Sequence, residues 1–136
     1  MGACEFEVYS TGETVHQAYL DAVGNARHEW GHGGYTGTIA EKNGFKVFDI
    51  GHMDIADFQR IIGQCIDPEN KAMMDSNKAM SEEWVNKGSE NFRTLAQAAG
   101  IVTAARIVEA YEDKWGPAVA IRYSENIWFF TGWASC

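Results

Sequence analysis

Proline is nearly missing from this chain, with Pro68 and Pro117 the only two. So few breaks leave the segments between them open to regular structure. No apolar run is long enough to span a bilayer, and no basic stretch followed by an apolar one opens the chain. Neither a membrane partner nor a secretory signal is therefore expected. Basic residues are short too: 11 Lys and Arg stand against 19 Asp and Glu, for a formal charge of −8. Such a balance is repelled by phosphate backbones, which disfavours direct nucleic-acid binding and suits a basic partner or simple solubility. Cysteine is sparse. Cys4, Cys65 and Cys136 are odd in number and far apart, which argues against a disulfide framework and against a Cys-x-x-Cys metal site. A reduced, cytoplasmic chain is the expectation.

What is present is enough for a core. Hydrophobic residues at 46% and aromatics at 12% over 136 residues exclude disorder and fit one domain spanning 1–136. Cys4 to Ser10 alternates Phe6 and Val8 with Glu5 and Glu7 and predicts a strand. Ser10 with Glu13, or Thr14 with Gln17, can begin a capping box. Val15, Ala18, Tyr19, Ala22, Val23, Ala26 and Trp30 then recur at helical spacing as one apolar stripe, ended by Gly31, Gly33 and Gly34. Asn43-Gly44 between Tyr35–Lys42 and Phe45–Ile50 predicts a tight hairpin. A helix is predicted over 54–66, with Ile55, Phe58, Ile61, Ile62 and Ile66 on one side and Asp67-Pro68 after it. Residues 67–88 read as a polar excursion or lid. Helices are predicted over 89–99 and 103–115, the second closed by Gly116-Pro117. A final hairpin joins Val119–Tyr123 to Ile127–Ala134, whose run Ile127-Trp128-Phe129-Phe130 is apolar on both faces and belongs centrally in the sheet. The fold class is α+β: strand, helix, hairpin, helices, hairpin, with a largely antiparallel sheet of about five strands covered by helices on one face.

The stretch Arg27 to Thr38 carries the candidate chemistry. His28-Glu29-x-x-His32 spells the zinc-peptidase pattern, in which two imidazoles one turn apart hold the metal and the Glu accepts a proton from bound water. His52, Asp54 or Glu82-Glu83 could supply a third ligand. Against this, His28 and His32 fall roughly 200° and 240° from the middle of the apolar stripe, at about 100° per residue, and so point to solvent. Gly31 lies inside the motif, and a helix ending at Trp30 would part the pair. A solvated helix end, with His near the negative pole of the dipole, is the favoured reading. Zinc, with Glu29 as catalytic base, stays as an alternative to a protein without cofactor.

The loop itself is the second candidate. His32, Gly33, Gly34, Tyr35, Thr36 and Thr38 could line a ligand pocket, with amides and hydroxyls for an anion and Tyr35 for a ring. The loop follows a helix rather than preceding one, so it lacks the dipole's help for phosphate. A tight connection that needs glycines is the plainer reading. The third candidate is the aromatic ending, where Phe129 and Trp133 share one strand face and Trp128 and Phe130 the other. One face should be core, and the other core or an interface.

The stretches Gly31–Lys42 (GHGGYTGTIAEK), Lys114–Ala118 (KWGPA) and Trp128–Ser135 (WFFTGWAS) resemble a family of small, largely uncharacterised bacteriophage and prophage proteins. The resemblance leaves the middle of the chain uncovered and carries no activity or site residue. It implies an accessory protein acting in the cytoplasm of an infected cell. The functional expectation is thus a non-enzymatic binding protein, a phage accessory or anti-defence factor that sequesters a small nucleotide-like ligand or blocks a host protein. A zinc-dependent hydrolase and a structural, homo-oligomerising module are the alternatives.

Overall fold

The computed structural model describes residues 3–31, 34, 36–65 and 82–136, with side chains from 88 onward in the last segment. The chain divides into two compact units, one of residues 1–49 and 109–136, the other of 50–108. The first holds the sheet. Its elements are β1 (Ala3–Thr11), α1 (Val15–Trp30), a short 3-10 turn (Ile39–Glu41), β2 (Phe45–Val47), β3 (Ala118–Ser124) and β4 (Ile127–Ser135). The second holds α2 (Ile55–Ile62), α3 (Glu82–Ala99) and the larger part of α4 (Ile101–Glu112).

The first strand forms as its alternation requires. Phe6 is buried while Glu5 and Glu7 on either side are exposed. Of the two capping boxes it is Thr14 with Gln17 that starts α1. The Thr14 hydroxyl accepts the Gln17 amide at 3.2 Å, and the Gln17 side chain accepts the Glu13 amide at 3.2 Å. Ser10 stays within β1, where it is buried. Ala18, Tyr19, Ala22 and Val23 bury the middle of the apolar stripe, and Val15 and Ala26 pack partly against the same core. The stripe stops there. Trp30 closes the helix 62% exposed, one turn beyond the last residue that reaches the core.

The sheet is four-stranded in the order β1-β4-β3-β2. β4 pairs antiparallel with both β1 and β3, which places the apolar run Ile127–Phe130 centrally, as predicted. With both edges of β4 taken, its backbone is not available for pairing with another chain. Trp128 and Phe130 face α1 beside Phe6, Ala118, Ala120 and Phe45. Phe129 lies on the opposite face with the ring of Tyr9, at 5.0 Å between centroids.

The predicted hairpin about Asn43-Gly44 does not form, so the largely antiparallel sheet has four strands rather than about five, and one of its pairings is parallel. Residues 39–41 make the 3-10 turn, while β2 runs parallel to β3, with Phe45 beside Ala118 and Val47 beside Ala120. Two long-range bonds account for this. The Gly44 carbonyl accepts the Ala118 amide at 2.9 Å, and the Lys42 carbonyl accepts the Tyr19 hydroxyl at 3.0 Å. The backbone that would have folded back on itself is thus claimed by β3 and α1, and a local turn preference is worth less than two buried hydrogen bonds.

The cysteines also depart from expectation. Cys4 and Cys136 form a disulfide, with Cα atoms 6.0 Å apart across a sequence separation of 132. The antiparallel register sets Cys4 beside Ala134, which carries the next residues of β4 within reach of it. Cys65 is buried. The cysteines therefore no longer support a reduced chain.

Within the helical unit, α2 packs on α3, and Phe58, Ile61 and Ile62 of α2 and Leu95 of α3 are buried. The Asn91 amide donates to the Gln64 side chain at 2.9 Å. Helix α3 begins at Glu82, so 82–88 is helical where an excursion was expected. The remainder of that stretch, 67–81, and Ile66 lie outside the described residues.

Candidate functional site

Helix α1 ends at Trp30. Gly31 follows at φ +90° and returns its amide to the Arg27 carbonyl at 2.8 Å, the left-handed cap that a glycine reaches without strain. Arg27 and His28 occupy the last turn, where a cation meets the negative end of the helix dipole. His28 and Glu29 are exposed. His32, Gly33 and Tyr35 lie outside the described residues. Of the proposed third ligands, His52 and Asp54 are exposed, and the side chains of Glu82 and Glu83 are not described. Among the described residues, no three His, Cys, Asp or Glu side chains gather where a metal could be held.

The described part of the glycine loop is bonded to itself. The Thr36 hydroxyl donates to Glu41 Oε2 at 2.7 Å and lies 2.8 Å from the Thr38 hydroxyl. The Thr36 amide donates to the same carboxylate oxygen at 3.3 Å, and the Thr38 hydroxyl caps the 3-10 turn by accepting the Ala40 amide at 3.3 Å. Gly34 is exposed. The amide and hydroxyl that would greet an anion thus already face a carboxylate. Phosphate at this point would meet the charge of Glu41 before it met a donor.

Behind the turn lies Lys42, buried with only 6% of its surface exposed. Its ammonium donates to the Asp113 carbonyl at 2.8 Å, just past the end of α4. Burial pulls its pKa down to about 8, and the Asp113 charge opposes that shift. Sequence reasoning missed this lysine because nothing in its immediate neighbours marks it for burial. It ties the loop to the turn that follows α4 and is not open to solvent chemistry.

The surface that the structure does present lies on β1. Its period of two sends Glu5, Glu7 and Tyr9 to the face opposite α1. Tyr9 is 47% exposed and Tyr123 of β3 is 56% exposed, and their rings meet edge to face at 5.3 Å. Beneath them Phe129 is fully buried. The result is a row of two carboxylates ending in a pair of exposed phenols. The alternation of β1 held this signal, since a large aromatic stands there at a position that the pattern assigns to the outer face.

Comparison of the chain with protein-family models, with curated proteins and with solved structures finds no match. Among the described residues, no helix is long and apolar enough to cross a membrane.

Proposed function

We propose that this chain is a non-enzymatic binding protein whose target is another protein, engaged through the outer face of β1. The observation that carries the reading is the exposed Tyr9–Tyr123 pair seated on buried Phe129. Tyrosine offers large contact area at little cost in side-chain entropy, and it is enriched where proteins meet. A contiguous pair, half in water and resting on a rigid central strand, is a preformed anchor of that kind. The alternative of a small nucleotide-like ligand held by His32, Gly33, Gly34, Tyr35, Thr36 and Thr38 draws less support from its described residues, because Glu41 already takes the Thr36 donors. An accessory or anti-defence role in an infected cell, the setting implied by the phage-protein resemblance, agrees with a protein that works by occupying a partner.

A photoreactive phenylalanine placed at position 9 of the whole chain tests this in the producing cell. The expected result is a discrete protein adduct that is weakened by Tyr123→Ser. Recovery of a stoichiometric nucleotide from the denatured protein, with no protein adduct, would overturn the reading in favour of sequestration.

A further inference from the structure

The β1–β4 ladder runs unbroken through nine pairs, from Ala3 beside Ser135 to Thr11 beside Ile127. The disulfide sits at one end of it, where Cys4 stands beside Ala134 and reaches Cys136 just past the strand. The two strands are aligned by their own pairing, so in the folded protein the bond adds little to the sheet. It does bear on the loop after α1. Gly37 is buried against it, and a Cβ there would lie 2.9 Å from Cys4 Cβ, 3.0 Å from Cys136 Cβ and 3.3 Å from Cys4 Sγ. Loop and disulfide are packed with no room for a methyl group between them. The Gly37 amide donates to the Ser135 carbonyl at 2.8 Å, one residue before Cys136. On either side of Gly37, the Thr36 and Thr38 hydroxyls meet at 2.8 Å, and Thr36 donates to Glu41. The Thr36–Glu41 cluster is thus attached through Gly37 to the end of β4.

Cys4, by contrast, is exposed, on the terminal strand of the sheet, and Cys136 is half-buried. Exposed disulfides form the labile and regulatory class, whereas structural ones resist reduction. We propose that the Cys4–Cys136 disulfide is a thiol–disulfide exchange site, attacked at Cys4 by a dithiol, and that its state decides whether the loop at Gly37 is latched to the sheet. One thiolate of the dithiol attacks Cys4 Sγ and forms a mixed disulfide. The electron pair of the broken bond leaves on Cys136 as a thiolate, which takes a proton from water. The second thiol of the dithiol then attacks its own partner sulfur in the mixed disulfide and releases Cys4. Two electrons and two protons pass to the cysteine pair, and the dithiol leaves as a disulfide. An oxidised dithiol runs the same steps in reverse. Glu5 next to Cys4 and a net charge of −8 repel an anionic thiol such as glutathione, so the fitting co-reactant is a dithiol without that charge.

Two thiols cannot stand as close as two bonded sulfurs. On reduction the sulfurs part, and Gly37 leaves no space for them on its side. Cys136, no longer tied to β1, is held only by its connection to Ser135, the last pair of the ladder. Both changes fall on the Gly37–Ser135 hydrogen bond, because chain ends open where nothing ties them down. The rest of the ladder keeps the sheet, so the loop is released while the fold stays. Cys4 pairs with Ala134 and faces α1, opposite Glu5, Glu7 and Tyr9, so the latch does not depend on the binding face of β1.

The full-length oxidised protein, labelled with nitrogen-15, is treated with dithiothreitol under native conditions and then with iodoacetamide. Two labels are expected, on Cys4 and Cys136 and not on buried Cys65, at a rate that rises with dithiothreitol. Cysteamine, a cationic monothiol, should leave its mixed disulfide on Cys4. In the reduced protein the amide signals of Thr36, Gly37 and Thr38 should move, while those of Phe129 and Phe130 in the central strand stay in place. The Gly37 amide should exchange with solvent about tenfold faster or more, at a rate that low urea leaves unchanged, the mark of local opening. Cys4→Ser/Cys136→Ser should show the same fast exchange and no response to dithiothreitol. Thiols that appear only at the rate of global unfolding, or a Gly37 exchange rate that reduction does not change, would overturn the proposal. So would a mixed disulfide found on Cys136 alone. Loss of the whole spectrum on reduction would overturn it too, since the bond would then be a staple of the fold and not a latch on its loop.

Discussion

The amide of Gly37 donates to the carbonyl of Ser135 at 2.8 Å, and this bond seats the glycine's backbone directly on the Cys4–Cys136 disulfide. A Cβ at position 37 would lie 2.9 Å from Cys4 Cβ and 3.0 Å from Cys136 Cβ, at a backbone φ of +70°. The loop that follows α1 is thus held down at its far end by the covalent link between the outer two ends of β1 and β4.

Gly37→Ala should therefore destabilise the protein by about 2–4 kcal/mol, from left-handed backbone strain and overpacking together. Urea unfolding measures this directly. A loss below about 0.5 kcal/mol, the range of neutral surface changes, would show that the loop does not rest on the disulfide.

Removing the disulfide acts on the unfolded chain rather than on the fold. The link closes nearly the whole sequence, with a separation of 132, and the loop-entropy model puts loss of such a bond at about 4–5 kcal/mol. Cys4→Ser/Cys136→Ser, or reduction of the wild type, should lower the urea midpoint and steepen the slope, because the unfolded chain freed of the crosslink expands and exposes more surface. An oxidised preparation in which both thiols still react with alkylating reagent under denaturing conditions would contradict the pairing.

Lys42 makes stability depend on pH in a stated direction. Its pKa is lowered from 10.5 to about 8 on folding, so between those values the unfolded chain carries a proton that the folded chain has released. Stability then rises with pH across that interval, by up to about 3.5 kcal/mol at ~1.4 kcal/mol per pKa unit. Below pH 8 the buried ammonium bears its full desolvation cost. Tyr9 and Tyr19, whose ionisation burial pushes upward, work the other way once tyrosines begin to ionise in the unfolded chain. Comparison with Lys42→Met by denaturation between pH 7.5 and 9.5 isolates the lysine, and the variant should show the flatter profile. Parallel profiles would mean that the ammonium is not desolvated.

Thr36→Val removes one side-chain bond to Glu41 and the contact with Thr38. Thermal unfolding should register a loss of about 1–2 kcal/mol. A neutral result would mean that the Glu41 carboxylate is free to leave the loop, which would reopen the loop to an anion.

Much of this fold can be read directly from local patterns. The stripe Ala18, Tyr19, Ala22, Val23 is buried, the strand faces of Trp128 and Phe130 against Phe129 are as alternation requires, and the terminal hairpin turns at Glu125-Asn126. Each of these rests on a period of 2 or 3.6 residues that a short window contains. Asn43-Gly44 is a sound turn signal by the same standard. It failed because its competitors, Tyr19 and Ala118, lie far away along the chain.

The candidate site divides in the same way. That Glu5, Glu7 and Tyr9 share one face follows from β1 alone. That Tyr111 and Trp133 stand beside Glu5 does not, and neither does the choice of Cys136 as the partner of Cys4.

The order of residues by itself determined the class of the fold, the position of α1, the central place of β4 and the two faces of each strand, because side-chain periodicity is a property of consecutive residues. Only the tertiary structure decided the parallel β2–β3 pairing, the disulfide, the burial of Lys42 and the packing of Tyr111 on Trp133. Those depend on register between segments as much as 132 residues apart, and contacts over such distances leave no trace in any local stretch of sequence.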